Sequence, residues 1–381
     1  MRRVYLDNNA TTPIHPGLYS ELKPFFEDLF GNPSSIHWAG KAVRDKLEEA
    51  RSILAMFIGA KENEIIFTGS GTESSNLAIK GVALANRDRG NHIITTQVEH
   101  PCVLNTLRYL ESKGFEVTYL PVDRKGQLDP DDVKRAIRKD TILITVMYAN
   151  NETGTVLPIG EIGNIAKEKG IYFHSDMVQA LGKVKLDLKD LKVDLASFSG
   201  HKTYAPKGIG FLYVRDGTKN IHPIIHGGHQ ERGLRAGTEN TIGIVAMGLV
   251  ASNLAEEIDL CINKMENLRR KIISGLIQSL DGITLNGDQE NRLPNTINVS
   301  FEGINASSLV SLLDGYGIAV SSGAACRAKE ASFSHVLQAM GLPPSVVMGA
   351  IRISVGRYNT DEEIDYAIPL IVKAVKTIRE D

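Results

Sequence analysis

An α/β fold is what this sequence predicts: a mostly parallel seven-stranded sheet sandwiched by helices, followed by a smaller α+β C-terminal domain. Three observations carry that reading. Between residues 64 and 214, short apolar β-type runs alternate with segments of helical period. Beyond about residue 242 the texture changes to one long helical pattern and then to mixed elements. With 381 residues and 42% hydrophobic content, the chain is too long for one small domain and can bury a sizeable core.

The elements follow in order. Across residues 41–57, Val43, Leu47, Ala50, Leu54 and Phe57 fall on one helical stripe. Residues 64–67 read as a strand and 72–86 as a helix. Residues 91–97 form the next strand, 102–113 a helix and 115–122 a strand. Asp129 is placed to cap a helix that has Pro130 at its first position and acidic residues in its first turn. A strand over 141–148, a helix over 159–169 and a strand over 171–174 continue the alternation. Apolar runs at 193–199 and 211–214, separated by a glycine-bearing turn at 204–210, bring the strands to seven. Such alternation argues for a mostly parallel sheet covered on both faces. A long helix over 241–280 follows, then a strand at 296–301, a helix at 307–313, a strand-like run at 318–320 and a terminal helix at 361–379. The boundary is placed inside the long helix near residue 260. That gives a large domain of residues 14–260 and a small one of residues 1–13 and 261–381.

Bulk properties narrow the function. A formal charge of -2 with 23% charged residues implies no basic face, which argues against nucleic acid. Cys102, Cys261 and Cys326 form an odd, sparse set that suits a reducing compartment better than a disulfide framework. The start lacks an apolar signal core, and the apolar stretch at 242–250 is glycine-interrupted and too short to span a bilayer. A cytoplasmic protein with no membrane partner is expected. No H-E-x-x-H or paired C-x-x-C occurs, so no metal site is expected.

Four expected strand ends carry chemistry-bearing residues. Thr68-Gly69-Ser70-Gly71-Thr72-Glu73 lies between a strand and a helix, where glycines and free N–H groups can receive a phosphate. It is neither a Walker loop nor a G-x-G-x-x-G fingerprint. Alone, it reads equally well as a capped turn. His100, in Glu99-His100-Pro101, is either a loop histidine or a ring that stacks on an aromatic cofactor and shuttles protons. Asp176, in His174-Ser175-Asp176-Met177-Val178-Gln179, is either a helix cap or the partner of a protonated pyridine nitrogen. Lys202 ends the run Ser197-Phe198-Ser199-Gly200-His201-Lys202. It is either a strand-terminal lysine in water or a Schiff-base lysine. Asn150-Asn151-Glu152-Thr153-Gly154 reads by default as a turn. Together, the phosphate donors, histidine, carboxylate and lysine match what pyridoxal phosphate requires.

Downstream, Cys326 sits in Ser321-Ser322-Gly323-Ala324-Ala325-Cys326-Arg327-Ala328-Lys329 among small and polar residues. Arg327 and Lys329 could favour its thiolate. Cys102 and Cys261 fall in helical patterns and read as packing residues. Arg352, in Ile351-Arg352-Ile353-Ser354, is either an edge-strand surface residue or a bidentate grip for a substrate carboxylate.

These residues carry a resemblance. From Tyr5-Leu6-Asp7-Asn8-Asn9-Ala10-Thr11-Thr12 to Arg352-Ile353-Ser354-Val355-Gly356-Arg357, the chain resembles cysteine desulfurases of the NifS/IscS type, in the class V aminotransferase superfamily of fold type I. The Ser-Gly-His-Lys run with its downstream Gly-Ile-Gly marks the superfamily, and Ser-Ser-Gly-x-Ala-Cys narrows it to desulfurases. The resemblance implies Lys202 as the Schiff-base lysine, His100 as the ring-stacking acid/base group and Asp176 as the partner of the pyridine nitrogen. It implies Gln179 and Asn151 at the cofactor's phenolic oxygen and the substrate side. It implies Gly71, Thr72, Ser199 and His201 at the phosphate, with Thr238 given to the neighbouring subunit of a homodimer. Arg352 would bind the carboxylate of L-cysteine. Cys326 would form a persulfide and pass it to an acceptor such as an iron–sulfur scaffold. Two departures stand out: Ala324 and Arg327 replace the family's usual Ser and Thr, and residues 331–334 lack its usual Glu-Pro. The competing expectations are a selenocysteine lyase or class V aminotransferase using the same site, and a non-enzymatic scaffold of the same fold.

Overall fold

The computed structural model describes residues 2–322 and 333–380. Across the central sheet the strands run in the order Ile65–Thr68, Gly210–Val214, Leu195–Ser199, Tyr172–Asp176, Thr141–Thr145, His92–Thr96 and Glu116–Leu120. The strands from Leu195–Ser199 to Glu116–Leu120 pair in parallel. Gly210–Val214 is antiparallel to both of its neighbours. The reversal has a simple cause. Residues 200–209 are too few to carry a crossover helix, so the chain returns as a hairpin.

Consecutive strand residues face opposite ways, and the two faces are covered by different helices. Ile93 and Leu143 pack with Leu77 and Ile79 of helix Gly71–Ala85 and with Val103 and Leu107 of helix Pro101–Glu111. Their neighbours Ile94 and Ile144 pack on the other side, with Leu47 and Leu54 of helix Trp38–Phe57 and Ile162 of helix Ile159–Lys169. Toward their carboxyl ends the strands turn from apolar to buried polar: Thr95 and Thr96, Thr145, Ser175 and Asp176, Ser197 and Ser199. A parallel sheet with helices on both faces opens its ligand crevice at that edge.

The long helix is one element, Thr241–Ser279, and it crosses residue 260 unbroken. By length and composition it is apolar enough to cross a membrane. In the structure its first half packs on helix Trp38–Phe57, where a Cβ at Gly248 would lie 2.6 Å from that of Ala50. Its second half meets the terminal helix Asp361–Glu380, with Gly275 against Ile368. Past it stands an antiparallel sheet in the order Ser321–Ser322, Ala350–Ser354, Thr296–Phe301, Ile283–Asn286. The strand Ile283–Asn286 is not among the elements expected from the sequence, being short and only half-buried.

The N-terminal segment joins the two regions. Val4–Tyr5 pairs in parallel with Ile318–Ala319, and Asp7 bridges Ser354. A few residues on, the Thr12 and His15 amides donate to the carbonyls of His201 and Tyr204. The segment between these anchors is thereby held beside Lys202.

Candidate active site

The carboxyl ends of the strands converge on one pocket, lined by Ser70, Gly71 and Thr72, by His100 and Cys102, by Met147, Ala149 and Asn151, by Asp176, Val178 and Gln179, and by Ser199, His201 and Lys202. Ser70 is the cap of helix Gly71–Ala85, its Oγ accepting the Glu73 amide at 3.1 Å. The helix therefore presents its N-terminus, with free N–H groups and positive dipole, to the pocket. Gly71 is required there. A Cβ would stand 2.7 Å from Val178 Cγ2 and 3.1 Å from the Ser199 Cβ.

His100 caps a helix and also faces the pocket. Its Nδ1 accepts the Cys102 amide at 3.2 Å and caps helix Pro101–Glu111, while its ring lines the pocket. Burial, then the charges of Lys202 and His335, lower its pKa to about 4, so the imidazole is neutral near pH 7. Asp176 is the last residue of its strand and is buried. Its Oδ1 accepts the Val178 amide at 3.0 Å. Burial raises its pKa against that hydrogen bond and the Lys202 charge. A carboxylate in that condition is stabilised by a cationic partner arriving in the pocket.

Cys102 corrects an expectation. It is not only a packing residue, because it lines the pocket with Sγ 4.0 Å from Asp176 Oδ2. His100, Cys102 and Asp176 bring potential ligand atoms within 4.8 Å of one another. Burial, with Asp176 beside it, pushes the Cys102 thiol far up, so it stays protonated and is a poor metal ligand. Cys261 is buried, as a packing residue should be.

Sequence reasoning missed the residue on which this pocket is hung, Asn9. Its carbonyl accepts from Lys202 Nζ at 2.9 Å and from Gln179 Nε2 at 3.1 Å. Its Oδ1 accepts from Lys183 Nζ at 3.0 Å and Asn295 Nδ2 at 2.9 Å. Its Nδ2 donates to Thr296 Oγ1 at 2.8 Å and to the Asn151 carbonyl at 3.2 Å. The available signal was the paired asparagine in Asp7-Asn8-Asn9, which lies in an N-terminal motif with no strand end of its own. Lys183 was missed too, although a lysine four residues after Gln179 in an otherwise apolar stretch is an anomaly.

Two expected residues stand apart from the pocket, and a third is not among the described residues. Arg352 does not line the pocket. It is buried on an inner strand of the small sheet, not on an edge, with Nη2 2.7 Å from Asp7 Oδ1 and Nη1 3.2 Å from the Asn151 carbonyl. Thr238 is exposed, in a separate hollow that it lines with Thr68, Gly69, Arg235, Glu239 and Asn240. Cys326 lies outside the described residues. The chain on either side of residues 323–332 borders the site. Ser321 is paired opposite Arg352, Ser334 Oγ lies 2.5 Å from Glu152 Oε2, and His335 Nε2 lies 3.0 Å from the Glu99 carbonyl.

The donor set fits pyridoxal phosphate on chemical grounds. Lys202 offers the amine for the aldehyde, buried Asp176 the counter-charge for a protonated ring nitrogen and His100 a neutral flat ring. The helix start at Ser70, Gly71 and Thr72, with Ser199 and His201, offers the anion site. A model of the aminotransferase class-V family matches residues 4–367. The chain is 50% identical to cysteine desulfurase IscS of Dictyoglomus turgidum, over 99% of this chain and 96% of that protein. It is 49% identical to cysteine desulfurase IscS of Methanosarcina thermophila, over 99% of this chain and 93% of that one. Among solved structures, a NifS-like protein superposes with a TM-score of 0.93 at 42% identity, covering 99% of this chain and all of the other. A structure described as SspA in complex with cysteine superposes at 0.83 with 39% identity, covering 94% of this chain.

The chain therefore belongs to the class-V aminotransferases, a family of pyridoxal phosphate enzymes. Within that family it is one of the cysteine desulfurases of the NifS/IscS type.

Proposed function

We propose that this chain works as a cytoplasmic homodimer that takes sulfur from L-cysteine, releases L-alanine and passes the sulfur from Cys326 to an acceptor protein that assembles iron–sulfur clusters. The observation that carries the proposal is the meeting of Lys202, Asp176, His100 and the helix start at Gly71 in one pocket, with Arg352 one residue contact away through Asn151.

Pyridoxal phosphate, when bound, supplies an electron sink for charge developing at the amino acid's α-carbon. The protein's residues do the rest. Lys202, Asp176 and His100 would hold the cofactor's reactive end, ring nitrogen and ring face. Arg352 receives the substrate carboxylate through its guanidinium fork. Lys202 takes the α-proton, its Nζ oriented by the Asn9 carbonyl. The Cys326 thiolate attacks the substrate sulfur, whose bond to carbon breaks; the carbon skeleton leaves as alanine and the sulfur stays as a persulfide. Cysteine plus the Cys326 thiol thus become alanine plus the Cys326 persulfide, with no external oxidant.

Two features support the homodimer. Tyr19, Phe26, Phe30, Ile36 and Trp38 are large apolar side chains exposed within one short stretch, an unusual concentration for a monomer's surface. Thr238 is exposed and lines a hollow separate from its own chain's pocket, where a partner subunit could receive it. The sparse cysteines suit a reducing cytoplasm.

Mass spectrometry after brief exposure to cysteine tests the chemistry. The expected result is one added sulfur on Cys326, with alanine released and no keto-acid consumed. In Cys326→Ala the cofactor absorbance should remain while alanine release stops. Alanine at the wild-type rate from that variant would overturn the persulfide role and favour a lyase or transaminase.

A further inference from the structure

Lys183 is a buried amine that the reaction as described does not use. Its Nζ reaches Gln179 Oε1 at 2.5 Å and Asn9 Oδ1 at 3.0 Å, and only 5% of the residue is exposed. The charged groups that act on it are cationic, Lys202 and Arg352. Burial first, then those charges, hold its pKa well below that of an ordinary lysine.

A lysine nitrogen in either protonation state donates hydrogen bonds, and an amide has one accepting end and one donating end. Lys183, together with the backbone carbonyls to which the two amides donate, settles which way they point. Asn9 must turn Oδ1 toward it, which leaves Nδ2 for Thr296 and the Asn151 carbonyl, as observed. Gln179 must turn Oε1 toward it, which leaves Nε2 to donate. One N–H of that nitrogen goes to the Asn9 carbonyl at 3.1 Å. The other remains for the pocket that Gln179 lines. Without Lys183 the Asn9 carbonyl alone would favour that orientation, and a flipped Gln179 would offer the pocket an acceptor.

We propose that Lys183 is a positioning residue of this active site: by donating to Gln179 and Asn9 together, it makes Gln179 present an N–H to the cofactor's phenolic oxygen and holds the Asn9 carbonyl in place for Lys202. The inference rests on pyridoxal phosphate occupying this pocket. If wild-type protein showed no visible cofactor band, that reading would fail; an unmoved band in the variant is a different failure.

The test follows the pH midpoint of the bound cofactor's visible absorption. A donor to the phenolic oxygen stabilises its anionic form. Losing that donor makes the oxygen hold the neighbouring proton more tightly, so the midpoint should rise. Lys183→Met is expected to raise it by about one pH unit. In a Gln179→Ala background, the same Lys183→Met change should move the midpoint little, since the two act as a unit. A folded, cofactor-loaded Lys183→Met with the wild-type midpoint, or an undiminished shift in the Gln179→Ala background, would overturn the proposal. Gln179→Glu covers the case in which Lys183→Met does not fold. It keeps an acceptor for Lys183 and loses the donor, so it should melt within a few degrees of wild type yet show the raised midpoint. A large drop in melting temperature would mean that Lys183 does not meet that oxygen.

Discussion

Arg352 Nη2 sits 2.7 Å from Asp7 Oδ1, so an ion pair between a buried arginine and a half-buried carboxylate ties an inner strand of the small sheet to the segment that carries Asn9. Arg352 Nε has no partner among the described residues, and its Nη1 holds the Asn151 carbonyl. A guanidinium so placed can take a substrate carboxylate only by sharing or releasing Asp7.

Arg352→Gln should therefore act on substrate binding. A charge-assisted, bidentate contact is worth roughly 1.5–3 kcal/mol, so KM for cysteine should rise about 10- to 100-fold with a smaller change in kcat. The cofactor band should not move. Steady-state alanine release decides it; a fall in kcat at constant KM would remove Arg352 from the substrate's carboxylate.

His100 should titrate far from its usual range. Burial and the nearby Lys202 charge take it to about 4, so its ring stays neutral down to about pH 5 in the folded protein. In the unfolded chain it would take its proton near pH 6.5. Its contribution to stability is thus complete above pH 6.5 and is lost as pH falls through about 4. A histidine NMR titration comparing wild type with His100→Gln reads this directly. A His100 midpoint at 6 or above would contradict it.

Glu99 has the opposite sign. Burial raises its pKa to about 8, although the Met147 amide and Thr96 hydroxyl donate to Oε1. The folded state keeps a proton that the unfolded state loses near pH 4.5, so the carboxyl costs stability as pH climbs from there toward 8. Glu99→Gln imitates the protonated form. It should be close to neutral at pH 4.5 and stabilising at pH 8.5, by on the order of 1–3 kcal/mol. Urea unfolding at both pH values checks the sign. A variant less stable than wild type at pH 8.5 would refute it.

The turn leading to Thr238 depends on Arg51. The Arg51 guanidinium holds both oxygens of Glu231 at 2.8 and 3.0 Å, and Glu231 also accepts the Phe67 amide at 2.7 Å. Glu231 and Arg232 adopt left-handed backbone, with φ of 44° and 57°, which this pair maintains. Arg51→Met leaves Glu231 buried without its cation and should cost about 3–5 kcal/mol in chemical unfolding. Cofactor affinity should also fall, because the displaced turn carries Arg235, whose ion pair to Glu73 steadies the phosphate helix. Unchanged affinity in a folded Arg51→Met would separate the turn from the cofactor site.

The strand ends were legible because each announces itself locally. A buried strand reads as an apolar run, and the first polar residues past it must sit at its mouth. His100, Asp176 and Lys202 were found that way, and the pocket contains all three. Gly71 was legible as a helix start. Arg352 was legible as a charge in an apolar strand, but not as Asp7's partner, since these residues are 345 positions apart. Asn9 and Lys183 left no periodic signal. Their importance comes from where two distant segments meet. Cys102 looked like a core residue because a helix stripe shows which residues face inward, not that one of them faces a cavity.

By itself, then, the sequence determined the elements of the central sheet and the long helices, the sheet's mainly parallel character and the cofactor chemistry at the strand ends, because periodicity and strand-end polarity are short-range properties. The tertiary structure alone decided the reversed strand Gly210–Val214, the Arg352–Asp7 pair and the Lys202–Asn9–Gln179–Lys183 hydrogen bonds. Each depends on which distant groups share a dry interior, where a donor without an acceptor costs several times what a surface contact is worth.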